Sequence, residues 1–65
     1  MTKDEFIDEY IKWIKEYPNR SVDGLMLING FSEKYIRHDM EVKLRDIKNE
    51  NLQELLERLK NPYGV

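Results

Sequence analysis

Pro18, the Asn29-Gly30 pair and the polar run Asn49-Glu50-Asn51 cut this chain into four pieces, each carrying apolar residues at steps of three and four. A segment with that spacing hides its apolar side only as a helix laid against other helices. No stretch alternates apolar and polar residues as a strand would, and no repeat, linker or low-complexity tract appears. The pattern therefore predicts an all-α fold, a four-helix bundle formed by residues 1–65 as a single domain.

Local signals place the four helices. Thr2 and Glu5 have the spacing of a capping box, and Phe6, Ile7, Tyr10, Ile11, Ile14 and Tyr17 follow as one stripe. Pro18 has no amide donor and disfavours helical geometry at Tyr17, so this helix should end near Glu16, leaving Pro18-Asn19-Arg20 as a turn. Trp13 and Tyr17 lie slightly round from the isoleucine line, so they either widen the core stripe, which is the default, or form an exposed aromatic patch. Ser21 can cap a second helix of about two turns with Val22, Leu25, Met26 and Ile28, and Gly30 just beyond it can take the left-handed conformation. Ser32 can cap a third, where Ile36, Met40, Leu44 and Ile47 share one face to about Lys48. Asn51 with Glu54 offers a cap pair for a fourth, whose Leu52, Leu55, Leu56 and Leu59 form its stripe before Asn61-Pro62. The tail Tyr63-Gly64-Val65 is expected to fray.

Sixty-five residues bury little surface, and the absence of cysteine removes disulfides and thiolate metal sites as staples. A homodimer or a bound partner would supply what the core lacks. No apolar run approaches the roughly 20 residues of a membrane span, and MTKDEFIDEY is too acidic for a signal peptide, so a cytoplasmic chain with no membrane partner is expected. The net charge is −2. Residues 1–17 hold three lysines against five acids, whereas residues 32–48 hold five basic side chains against four acids. Only the stretch after the glycine is net positive.

That stretch, SVDGLMLINGFSEKYIRHDM, has the parts of a helix-turn-helix without a β-wing: a short helix, a turn glycine, an apolar residue after it and a capped second helix. Leu25 and Met26 would pack inward, Phe31 would plug the space between the helices, and Ile36 and Met40 would anchor the second. Glu33, Lys34, Arg37, His38 and Glu41 would then face outward. Ser21-Val22, Leu25, Phe31-Ser32-Glu33, Ile36-Arg37 and Asp39-Met40 resemble the helix-turn-helix of DeoR-type repressors, where Ser-Val is followed by Val-Ser-Glu and Ile-Arg-Arg-Asp-Leu at the same offsets. His38 stands at that family's second Arg, and Met26 where such motifs usually place Ala. Phe6-Ile7-Asp8-Glu9-Tyr10 with Gly30-Phe31-Ser32-Glu33-Lys34 is similar to the N-terminal helix-turn-helix domain of phage small terminase subunits, although the separation is longer here. Either resemblance implies binding to double-stranded DNA, as a transcriptional regulator of phage or mobile-element type or as the recognition domain of a packaging subunit.

On chemical grounds Arg37 would read a base, because a guanidinium can bond both acceptors of guanine. Lys34, Lys43 and Arg20 would contact phosphates, His38 would stand beside them, and Ser32 could offer its hydroxyl and the helix-end amides. Glu33 and Glu41 flank the same face and oppose phosphate. The rival reading is a helical protein-binding module that inhibits or adapts a host protein, since amphipathic helices joined by a turn need never touch DNA. One histidine without cysteine makes a poor metal site, and no cofactor is expected. Asp4, Glu5, Asp8 and Glu9 serve the helix dipole rather than catalysis, and no nucleophile and base pair or glycine-rich phosphate loop is present, so no enzyme activity is expected.

Overall fold

A computed structural model describes residues 1–61, and the fraying expected of Tyr63-Gly64-Val65 lies outside the described residues. The chain is all-helical: α1 (Lys3–Glu16), α2 (Val22–Ile28), α3 (Glu33–Lys43) and α4 (Leu52–Lys60), with 3₁₀ turns at Pro18–Arg20 and Asn49–Asn51. No strand occurs among the described residues, and no helix there is long and apolar enough to cross a membrane.

α1 is the hub on which the other three helices pack. Its start is the expected capping box: the Glu5 amide donates to Thr2 Oγ1 at 3.2 Å and the Thr2 amide donates to Glu5 Oε1 at 2.9 Å. Donation from the Thr2 amide, and secondarily from the Thr2 side chain, favours the charged form of Glu5, so its carboxyl titrates below the ordinary glutamate value. Phe6, Ile7, Tyr10, Ile11, Trp13 and Ile14 are all buried, and they meet Ile36, Met40 and Leu44 from the third segment and Leu52 and Leu56 from α4. Each fully buried Ile, Leu or Phe contributes about 1.5–3 kcal/mol. Two ion pairs run from α1 to α3, Asp8 with Arg37 and Lys15 with Glu33, in an order that fits helices running in opposite directions. The Cα trace measures 33 × 29 × 15 Å. In so thin a slab every helix keeps one side in solvent.

Three expectations need correction. α3 ends at Lys43 rather than near Lys48, because Leu44 and Ile47 reach the core through tight turns, with Arg45 N–H donating to the Val42 carbonyl at 3.3 Å and Ile47 N–H to the Leu44 carbonyl at 3.1 Å. A step of three suits such a turn as well as a helix. Lys3 Nζ then donates to the Arg45 carbonyl at 3.1 Å, satisfying a group that the broken helix leaves open. Asn51 makes no side-chain cap, since the preceding 3₁₀ turn runs straight into α4 and holds it at φ −96°, ψ −5°, away from the extended geometry a cap needs. Tyr17 leaves the core stripe: it follows the last helical residue and is exposed, while Trp13 is buried as expected.

Candidate interaction surface on the second helix

α2 sits with its small and polar side inward. Ser21 caps it by accepting from the Gly24 amide at 2.9 Å. Gly24 is buried against the Pro18–Arg20 turn so closely that a Cβ there would lie 2.7 Å from Pro18 Cα and 2.8 Å from its carbonyl carbon. Only glycine allows this approach. One position earlier, Asp23 Oδ2 accepts from the Tyr10 hydroxyl at 2.6 Å, and Leu27 packs against the edge of the core. Positions 23, 24 and 27 make one helical face, so these contacts fix the rotation of α2 about its axis.

The opposite face is therefore apolar and exposed. Val22 is 74% exposed, Ile28 60% and Leu25 42%. This overturns the expectation that Leu25 packs inward; Met26, beside it, is only half-buried. The helix closes as anticipated at Gly30, whose φ of 96° permits a Schellman turn in which Phe31 N–H donates to the Met26 carbonyl at 3.0 Å and Gly30 N–H to the Leu27 carbonyl at 3.2 Å. Phe31 does not plug a gap between α2 and α3. It is 49% exposed and lies with its ring 5.8 Å from that of Tyr35, itself 52% exposed. α2 and α3 each pack chiefly on α1, and Phe31 stays at the surface beside the turn that joins them.

Burial, and secondarily the bond to the Asp23 carboxylate, push the Tyr10 hydroxyl well above its ordinary range. The proton therefore stays on Tyr10, and the hydroxyl remains a donor to Asp23 in the first turn of α2.

The expected DNA-contacting residues fall into separate places. Ser32 caps α3 by accepting from the Tyr35 amide at 3.1 Å. Lys34 and His38, one turn apart on α3, are exposed and make no ion pair among the described residues. Arg37 is half-buried and its Nη2 lies 2.5 Å from Asp8 Oδ1. Lys43 is nine residues after Lys34, which puts it roughly half a turn away around the helix; it pairs with Asp39 at 2.9 Å, and that bond holds its ammonium above the ordinary lysine value. Arg20 stacks over the Tyr17 ring, 4.8 Å from its centroid. Lys34 and His38 thus share a face, and Lys43 does not join them.

The clefts are shallow. One of about 240 Å³ lies between Tyr10, Asp23, Met40, Lys43, Leu55 and Leu59, smaller than the roughly 300–1,000 Å³ of most small-molecule pockets. Two larger depressions, about 360 and 330 Å³, have charged rims that include the pairs Arg58 with Glu54 at 2.7 Å and Lys60 with Glu9 at 4.0 Å, with Lys12 and Glu16 also on the second. No protein-family model, curated protein or solved structure matches the chain. Its functional reading rests on the geometry just described.

Proposed function

We propose that the chain is a helical protein-binding module, an adaptor or inhibitor that docks through the outward face of α2 and the aromatic pair at the turn after it. The observation that carries this reading is the orientation of α2: Val22, Leu25 and Ile28 point to solvent while Asp23 and Gly24 point in. A chain that can bury only a limited core gains by burying such a surface against something else, because exposed apolar residues gathered on one face are characteristic of docking sites. Phe31 and Tyr35 add the rigid aromatic area on which binding energy concentrates.

A second reading, double-stranded DNA binding as a small regulator or as a packaging recognition domain, is supported by one observation: Ser32, Lys34 and His38 occupy the solvent side of the first turns of α3. Arg37 would have to leave Asp8 to reach a base, and the acids of α1 stand beside it.

A photo-crosslinking side chain at Ile28, with Lys12 on α1 as the control position, tests the docking reading in cells of the source organism. Protein adducts from position 28 and none from position 12 support it; adducts from neither, or equally from both, overturn it. Titration with duplex DNA at low and high salt tests the second reading. Tight binding that weakens steeply with salt, and that is lost in Arg37→Glu, would favour DNA; no binding at either salt concentration removes it.

A further inference from the structure

We propose that the occupant of the α2 face is a second copy of this chain, seated across a twofold axis; the proposal rests on the docking reading above and names its partner. The first argument is charge. A twofold interface sets a surface against itself, so a charge near the axis meets its own sign. The outward positions of α2 are Val22, Leu25, Met26, Ile28 and Asn29, none of them charged, and the single charge of the helix, Asp23, is turned inward and bonded to Tyr10. The outer side of α1, by contrast, is charged along its length, with the acids Asp4, Asp8, Glu9 and Glu16 standing among Lys12 and Lys15. The neutral face of α2 sets no charge against its own sign when paired with itself.

The second argument is area. Val22, Leu25, Ile28, Phe31 and Tyr35 together expose on the order of 500 Å², against roughly 800 Å² per partner in a standard interface. With Met26, Asn29 and the Lys34 stem at the rim, the patch reaches the lower end of specific interfaces, where association is weak and reversible. The dimer so formed should dissociate with a constant on the order of 100 µM, and isoleucine and leucine side chains from the two copies of α2 should interdigitate at the axis.

Sedimentation equilibrium on the full chain from about 5 µM to about 1 mM decides the matter. The expected result is a mass that rises from one chain to two across that range, and a double variant Leu25→Asp/Ile28→Asp that stays at one chain throughout with an unchanged helical circular dichroism spectrum. Val22→Asp, at the most exposed of the three positions, provides a second variant with no core contact to lose, and it should raise the dissociation constant at least tenfold. A mass of one chain at every concentration, or a dimer that survives both variants, overturns the proposal. The docking reading fails separately. Adducts from position 28 to a different protein, with the chain monomeric throughout, would refute self-pairing and leave docking standing, whereas an adduct of twice the chain mass supports both.

Discussion

α1 and α2 are both amphipathic, yet one hides its apolar stripe and the other displays it. In α1 the stripe is long enough to meet three other helices, and burial of Phe6, Ile7 and Ile14 outweighs any local preference. α2 has only seven residues, and its rotation is set by two short-range contacts, the Gly24 backbone against Pro18 and the Asp23 carboxylate on the Tyr10 hydroxyl. The difference shows that apolar spacing defines a face but does not say which way the face turns. In a short helix the closest backbone approach decides that, and the apolar residues go where they are left.

The sharpest contrast comes from truncating the α1 stripe. Phe6→Ala removes a fully buried ring and should cost about 3–5 kcal/mol, most of the stability of a domain this small. Urea unfolding should find the variant largely unfolded without denaturant. Next in size, Gly24→Ala forces a methyl into the Pro18 backbone and should cost about 2–3 kcal/mol, although alanine is the better helix former. A stabilised variant would mean that α2 does not lie against the Pro18–Arg20 turn.

Smaller again is Tyr10→Phe, which keeps the ring and removes the bond to Asp23, at about 1–2 kcal/mol. This bond also has a pH signature. The hydroxyl titrates above its ordinary value of 10.0 in the folded chain, so its contribution is fully present below about pH 10 and is lost as pH rises through the folded value. Alkaline unfolding followed by circular dichroism should be shallower in Tyr10→Phe than in the parent. Equal slopes would detach Tyr10 from the orientation of α2.

Much of the architecture is legible in the residues. Thr2, Ser21 and Ser32 announce helix starts because their oxygens can accept orphan amides within three residues, and Pro18 and Gly30 stop helices through backbone geometry of their own. The end of α3 is not legible, because the step from Leu44 to Ile47 suits a tight turn as well as a helix. Asn51 misleads for a related reason: a cap is a matter of dihedral angle, and the turn before it sets that angle. The rotation of α2 is not legible either, and Leu25 faces solvent where its spacing suggests the core. Its determinants, Tyr10 with Asp23 and Gly24 with Pro18, join residues that no local pattern pairs, and the one available signal was a glycine inside a short helix, where its cost marks a close approach. The chemistry of Arg37 suits a base reader, but nothing near it in the chain reveals Asp8, 29 residues away.

The central claim is that the apolar face of α2 stands in water in the single chain. Urea unfolding of Leu25→Asp/Ile28→Asp at a few micromolar, where the proposed dimer is dissociated, tests it most directly. The account predicts a loss of no more than about 1–2 kcal/mol, the helix-propensity cost of two aspartates and the covered part of Leu25. A loss of more than about 3 kcal/mol, the signature of carboxylates forced into a core, would contradict it.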